Sequence, residues 1–510
     1  MKIQFYGATK TVTGSCHILK IKDKTILLDC GLYQGHKSES KGNEDFSFNP
    51  TEIDYVLLSH AHIDHSGRIP LLYKQGFRGL VICTDATRDL CSVMLPDSGH
   101  IHEAEVEWKN RKRIRQGSPK IEPLYTLADA TQCLSLFQGY SYDEVIELFD
   151  GLKVTFRDAG HLLGSASIEL MIKETEKEER LVYSGDIGNK NKPIIKDPTY
   201  SKYADYVIME TTYGDRVHAD AKDEMKQLIS IIKDTFRRGG NVIIPSFAVG
   251  RAQEIIYALN KYVENNDLKG CKVYVDSPLA TEATSIFKKY KKYYDEESKK
   301  YLAKGDDPLE FEGLVFTKSQ EESAALNKVT SGSIVISASG MCEAGRIKHH
   351  LKHNLWRKEC SIVFVGYQAE GTLGRAIVDG AKKVKLFGEE IAVNANIFSF
   401  NGLSGHADRN GLYQWINSFE KKPKKVFLVH GEEKCMQSFK ELLEDENIIS
   451  EIVEEGQSIE LENGQGNLIE KKQVSNKLRS KKEKLMSIIN SLDIDSLDNE
   501  QLLDILKQKL

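Results

Sequence analysis

The sequence predicts an α/β protein in which one domain is inserted into another and a short helical tail follows. Three observations predict it. Up to about residue 210, short β-rich runs alternate with glycine turns. Between about 212 and 395, strands alternate with helix-length segments, the rhythm of a parallel sheet. After about 396, histidines of the metal-binding type return at strand ends, so the chain re-enters its first domain. The expected division is therefore 1–210 and 396–470 for the first domain, 211–395 for the insertion and 471–510 for the tail.

Apolar and β-branched runs place strands of the first domain at 17–22, 25–29, 55–59, 79–83, 153–157, 180–184 and 206–209. Many end at a side chain able to bind metal, namely Asp29, His60, His161, Asp186 and Glu210. Strand ends along one rim bring residues distant in sequence together, so a shared active edge is expected. In the insertion, helices are expected over 221–238 and 251–265, with strands over 241–245, 272–275, 333–337 and 361–365. The tail opens on a charge-rich stretch, 471–484, and continues with an apolar stripe running from Leu485 to Leu506. Such a stripe docks on its own protein or on a twin subunit, with a recruitment motif as the alternative reading, and a homodimer through this segment is one expectation.

A chain of 510 residues exceeds one ordinary hydrophobic core. Its formal net charge of -5 removes a basic footprint as an argument for nucleic acid, although bound metal ions supply positive charge that such a count omits. Nine scattered cysteines with no C-x-x-C pair fit reduced, cytosolic use. The N-terminus carries no basic-then-apolar signal pattern, and no run is apolar enough to span a bilayer. A cytoplasmic protein without a membrane partner is expected.

The strongest chemical signal is His60-Ala61-His62-Ile63-Asp64-His65, directly after an apolar strand. Imidazole nitrogens and carboxylate oxygens at this density suit zinc, manganese or iron. Further ligands should arrive from other strand ends. His161 sits among glycines in 158–165, and Asp186 lies in a glycine turn, 184–188, where its carboxylate is placed to bridge two cations. Each alone reads equally as an ordinary glycine or Asx turn; the histidine loop tips the balance. Asp29, before Cys30 and Gly31, reads as an acid that orients a ligand histidine, or as a turn former. His349, His350 and His353 share an expected surface helix without an acid at suitable spacing, and read as surface residues rather than a third metal site. His17 and Cys30 read as packing residues near the site.

The ordered set Asp29, H-x-H-x-D-H, His161 and Asp186 resembles the metallo-β-lactamase superfamily, and that resemblance implies an αββα sandwich. A second set points within it. Glu210 in 209–215, His406 in 404–408 and His430 in 429–432 resemble motifs A, B and C of the β-CASP branch, supported by 245–251, 339–341 and 371–375. That branch inserts a large domain between A and B, where the rhythm of this chain changes. The resemblance covers about residues 1 to 460. It is similar to the short RNA-processing nucleases of bacteria and archaea and to the endonuclease subunit of the cleavage and polyadenylation specificity factor.

The resemblance implies a metal-dependent ribonuclease acting on single-stranded RNA, because RNA-directed members carry histidine at the third motif, here His430. By carry-over, His60, His62 and His161 hold one metal, Asp64, His65 and His430 the other, and Asp186 bridges them. Two zinc ions per chain are expected, with manganese or iron as alternatives. A metal-activated water then attacks phosphorus, and His406, oriented by Glu210, protonates the departing 3′ oxygen to leave a 5′ phosphate and a 3′ hydroxyl. Asp29 and Asp64 count among the catalytic set by the same carry-over. Ser339, Gly340, Met341, Ser404 and Gly405 are expected to hold neighbouring RNA phosphates through backbone and hydroxyl donors. Endonuclease and exonuclease action both stay open. Two rivals remain beside the ribonuclease: a thioester or lactone hydrolase of the same superfamily, and a catalytically idle RNA-binding scaffold.

Overall fold

Alternation of apolar side chains decides the layers. In the computed structural model, which describes residues 1–35, 42–174, 176–400, 402–462 and 465–471, one face of the first sheet carries Ile3, Phe5, Leu19, Ile21, Ile26 and Leu28. These meet Phe156, Ile168, Leu170, Tyr183, Ile208 and Phe427 of a second sheet in a shared core. The residues between them, such as Ile18, Leu27, Val56 and Val81, point the other way and pack under helices. On the second sheet Val207, Met209, Val426 and Leu428 likewise face Leu412, Trp415, Phe439 and Leu443 of the helices Arg409–Ile416 and Glu433–Asp445. Burying each such side chain contributes about 1.5–3 kcal/mol. The result is the expected αββα sandwich.

The first sheet has eight strands in the order Gln465–Lys471, Gln457–Glu462, Lys2–Phe5, His17–Ile21, Lys24–Leu28, Tyr55–Leu57, Leu80–Thr84 and Phe137–Tyr140. The second has seven, in the order Ser450–Ile452, Lys425–Val429, Tyr206–Glu210, Glu178–Tyr183, Ala166–Lys173, Leu152–Asp158 and Val145–Phe149. Where the strands that matter run parallel, their C-terminal ends align. Lys24–Leu28 pairs parallel with Tyr55–Leu57, while Glu178–Tyr183, Tyr206–Glu210 and Lys425–Val429 form a parallel trio. Asp29, His60, Asp186, Glu210 and His430 all follow or close these strands, which is why they share one rim.

The inserted sheet is wholly parallel, in the order Leu314–Phe316, Lys272–Val275, Ser333–Ser337, Val242–Pro245, Ser361–Phe364 and Asn396–Ser399. Helices cover both faces: Ile243 and Ile362 meet Ile347 and Leu351, while Val242 and Ile244 meet Leu228, Ile232 and Ile255. The latter cluster runs on into Leu90, Met94 and Leu95 of the first domain, so one continuous apolar core joins the two units.

Several elements were not expected from the sequence. The largest is a helix of 31 residues, Asp85–Arg115, of which the buried side, including Leu90, Cys91 and Leu95, belongs to the first half. The strands Phe137–Tyr140, Val145–Phe149 and Ala166–Lys173, the C-terminal strands from 450 to 471 and the hairpin Lys383–Leu386/Glu389–Ala392 also stand where none was placed. The helical tail, and the dimer expected through it, lie outside the described residues from 472 onward. Among the described residues no helix is long and apolar enough to cross a membrane.

Candidate metal centre

The loop after Tyr55–Leu57 turns directly into a short helix, Ile63–Ser66, with His62 as its N-cap residue. His65 N–H and Ser66 N–H both donate to the His62 carbonyl, so the chain coils at once and crowds three imidazoles together. Its partner is the segment 29–32, which lies against it: Cys30 N–H donates to His65 O at 2.7 Å and Leu32 N–H to Ile63 O at 2.9 Å. Only glycine permits this approach, since a Cβ at Gly31 would stand 1.6 Å from the Asp64 carbonyl oxygen.

Seven side chains then converge in two groups that share Asp186. In the first, His62 Nδ1 lies 3.1 Å from His60 Nε2 and 3.2 Å from His161 Nε2, and Asp186 Oδ2 lies 3.4 and 3.5 Å from those two nitrogens. In the second, His65 Nε2 lies 3.2 Å from His430 Nε2 and 3.2 Å from Asp186 Oδ1, and Asp64 Oδ2 lies 3.5 Å from His430. Atoms about 2.05 Å from a tetrahedral zinc stand about 3.3 Å apart, so the spacing is that of a ligand shell. Both Asp186 oxygens are buried without a hydrogen-bond donor, and these are the atoms that divalent cations would satisfy. The donor set fits the metals the sequence implies. A third grouping, Asp186 with Glu210 and His430, meets the same distance test. There Glu210 already accepts from Ile187 N–H and from the Thr212 hydroxyl, which leaves it little to offer a cation.

In the first group electrostatics favours the ligand forms, whereas against burial the Asp186, Asp64 and Asp29 carboxylates pull His65 of the second group towards its charged form. Burial holds His60, His62 and His161 below the usual imidazole range, His62 at about 3, so these rings are neutral with a lone pair to donate. Burial alone would raise the Asp186 carboxyl, but the surrounding histidines, His430 and His65 foremost, hold it well below the usual carboxylate range. His17, buried and held neutral at about 3, packs edge-on against Phe5 and Tyr183 as a packing residue does.

Asp29 sits behind the ligands with no exposure. Its Oδ2 lies 2.7 Å from His65 Nδ1, and it accepts from the Ser59 and Tyr183 hydroxyls, each at 2.7 Å; Oδ1 takes Ser59 N–H. Fixing the proton on His65 Nδ1 leaves Nε2 free on the metal side. Ser59 and Tyr183 were not singled out in the sequence, though Ser59 directly precedes the histidine loop. Asp29→Ala is expected to weaken metal binding about 10–100-fold, read by competition with a chromogenic chelator. Unchanged affinity would show that packing alone sets the His65 ring.

His406 stands at the mouth of this cluster, its side chain 22% exposed, and belongs to neither ligand group. Its Nδ1 lies 3.3 Å from Glu210 Oε1 and 3.8 Å from Asp186, and its ring centroid 4.6 Å from that of His161. Burial works against its charged form, but the Glu210 and Asp186 carboxylates outweigh burial and push the imidazole up to about 9. Cations bound at Asp186 would cancel part of that pull. The loop is pinned by backbone: Ala407 N–H donates to Ile187 O at 2.7 Å, and Asn189 Nδ2 donates to the His406 carbonyl at 2.7 Å. On the other flank the Thr212 hydroxyl lies 3.0 Å from His430 Nδ1. Lys192, also unforeseen, donates to the His161 carbonyl at 2.7 Å and pairs with Glu254 of the inserted domain at 2.9 Å. No local pattern marks it.

Of the residues expected to hold phosphate, Gly405 lies beside the cluster: a Cβ there would stand 3.1 Å from His161 Cε1. Ser404 caps His406 N–H through its hydroxyl at 3.3 Å. Ser339, Gly340 and Met341 belong to the inserted domain, just past the strand Ser333–Ser337, with Gln368 Nε2 donating to the Gly340 carbonyl. Of the histidine trio, His349 and His353 are exposed as expected, and His350 departs from that surface role. His350 is buried and lies 2.6 Å from Asp276, whose other oxygen accepts from Arg346, an acid supplied by a distant strand. His349 stacks on Phe387.

Residues 10–235 match the model of the metallo-β-lactamase superfamily, 252–377 that of the Beta-Casp domain, and 390–453 that of a Zn-dependent metallo-hydrolase RNA specificity domain. Ribonuclease TTHA0252 of Thermus thermophilus is 37% identical over 87% of this chain and 96% of its own length. The chain belongs to the β-CASP family. Transcription termination factor FttA of Methanocaldococcus jannaschii is 32% identical over 86% of the β-CASP protein described here and 68% of its own length. A crystal structure of a protein of unknown function from Enterococcus faecalis shares the fold at a TM-score of 0.50 and 14% identity, covering 90% of this chain and 99% of the other. In this β-CASP protein the superfamily match spans His60, His62, Asp64, His65, His161, Asp186 and Glu210, and the RNA-specificity match spans His406 and His430.

Proposed function

We propose that this β-CASP protein is a metal-dependent ribonuclease of RNA processing or decay. The observation that carries the reading is Asp186, which turns one oxygen to each of two histidine-rich groups while His406 stands at their open side. His60, His62 and His161 would hold one divalent cation, Asp64, His65 and His430 the second, and Asp186 both; zinc suits the nitrogen-rich set. When bound, such a pair activates water near neutral pH and neutralises charge on a phosphate.

The chain's own residues supply the rest. Glu210, accepting from Ile187 and Thr212, fixes His406 through Nδ1 and leaves Nε2 as the proton donor. As the water oxygen bonds to phosphorus and the P–O3′ bond breaks, the proton passes from His406 Nε2 to the departing 3′ oxygen. The products are a 5′ phosphate and a 3′ hydroxyl. Asp29 acts through His65 and is a positioning residue. Ser404 and Gly405 beside His406, and Ser339 to Met341 at the strand ends of the inserted sheet, are assigned to flanking phosphates. Sheet membership supports a division near 210, but Asn396–Ser399 pairs with Ser361–Phe364 in the inserted sheet, which moves the second division from the expected 395 to beyond 399, and the strand Gln465–Lys471 runs through the expected division at 470. The RNA-specificity match and the ribonuclease relative support RNA over a thioester or lactone, and the presence of all seven ligand candidates argues against an idle scaffold.

The test is cleavage of a 5′-labelled unpaired RNA by zinc-loaded protein, with chelated protein, matched DNA and a thioester as controls. RNA cleavage that the chelator abolishes is the expected result, and the fragment ladder tells internal cutting from processive trimming. Turnover of the thioester alone would overturn the substrate assignment.

A further inference from the structure

The helix Asp85–Arg115 begins at the wall of the metal centre and ends far from it. Thr84 and Thr87 hydroxyls at its start donate to the Gly164 carbonyl, three residues beyond His161, at 2.7 and 2.8 Å. Its first half follows the junction with the inserted domain, where Tyr290 donates to Asp89 at 2.8 Å. A helix of 31 residues is about 46 Å long. The second half leaves the core and ends in a cationic stretch. From Trp108 to Lys120 there are six lysines and arginines and no acid, in a protein whose net charge is -5.

The arrangement is ordered. Trp108, Arg111, Lys112 and Arg115 fall at i, i+3, i+4 and i+7, so they line one face, and all four are exposed. Trp108 is 56% exposed, with Lys112 Nζ 3.7 Å above its ring. Lys112, Arg113, Arg115 and Lys120 form no ion pair among the described residues; the pairs of Lys109 and Arg111 with Glu105 and Glu107 are solvent-exposed and weak. The arm is braced: Asn110 exchanges two hydrogen bonds of 2.9 Å with Ile121, and Arg113 Nε donates to the Pro119 carbonyl. An exposed indole set among cations is the combination that takes a nucleobase on its ring and phosphates on its rim. A membrane surface fits worse. Ile114, exposed like Trp108, lies about 120° around the helix from it, and the exposed Glu105 stands between Trp108 and Ile101 on its own side, so no continuous apolar face forms.

We propose that this stripe is a second RNA-binding surface, remote from the metal centre, that holds unpaired RNA extending beyond that centre. The proposal rests on the ribonuclease reading, and it predicts length discrimination that the metal centre alone does not provide. In the full chain kept in chelator, binding of a long unpaired RNA and of a short oligonucleotide is measured against salt, for wild type and for a variant carrying Arg111→Gln, Lys112→Gln and Arg115→Gln. Long-RNA affinity is expected to fall at least about tenfold, with the salt slope reduced by about 0.7 for each phosphate that is no longer neutralised. Short-RNA binding, and its cleavage once metal is restored, are expected to match wild type. Trp108→Phe is expected to remove most of the fluorescence quenching that long RNA produces. Wild-type long-RNA affinity in the variant overturns the proposal and turns the stripe towards an acidic protein surface, with the ribonuclease reading intact. Equal losses for long and short RNA also overturn it. Absence of any RNA cleavage by wild type sinks the ribonuclease reading instead.

Discussion

Replacing His406 by alanine is expected to lower RNA cleavage by about 10²–10⁴-fold while leaving the metal content of the protein unchanged. Both halves follow from geometry. His406 lies outside the two ligand groups, so no cation depends on it for coordination. Its Nδ1 is committed to Glu210 at 3.3 Å, and its side chain is a partly exposed imidazole at the mouth of the cluster, placed to give a proton to a leaving oxygen. The loop survives the substitution, because Ala407 N–H and the His406 carbonyl, both backbone groups, hold it to Ile187 and Asn189. Elemental analysis beside single-turnover cleavage separates the outcomes. Cleavage within a small factor of wild type would remove His406 from the chemistry. A drop in metal content would make it a ligand instead of a proton donor.

What the sequence made legible follows the range over which its physics acts. His60, His62, Asp64 and His65 sit within six residues of one another, and glycines mark His161 and Asp186, so the ligands could be read locally. The insertion was legible because a change of hydrophobic rhythm persists from about 212 to 395. Residues that act at a distance were silent. Tyr183 reaches Asp29 across 154 positions of sequence, and Asp276 reaches His350 across 74; neither pairing has a local signature. The strand Gln457–Glu462 pairs antiparallel with Lys2–Phe5, joining the two ends of the described chain. The long helix is silent in the sequence for a different reason. Its first half is buried on one side but its second half points cations into water, so no single apolar stripe runs its length, and Pro96 interrupts the pattern.

Asp186→Ala is expected to empty both metal positions, whereas His430→Ala should disturb one. Asp186 alone contributes to each histidine group, Oδ2 beside His60 and His161 and Oδ1 beside His65. Its carboxylate is the one acidic member of the first group, whose other members are neutral imidazoles. Removing it withdraws a ligand from both shells and the charge that offsets two dications from one of them. His430 belongs to the second group, where Asp64 and His65 remain. Metal bound per chain after gel filtration should therefore fall close to zero for Asp186→Ala and to about half for His430→Ala, if two ions are held. The thermal midpoint gives a readout independent of activity. A ligand that binds the folded chain at 100 times its dissociation constant stabilises by about 2.7 kcal/mol, so zinc should raise the wild-type midpoint and leave that of Asp186→Ala nearly unmoved. A variant that lacks the carboxylate yet keeps its full metal load and its zinc-induced shift would mean that the histidines suffice, and that the buried Asp186 serves the fold instead of the cations.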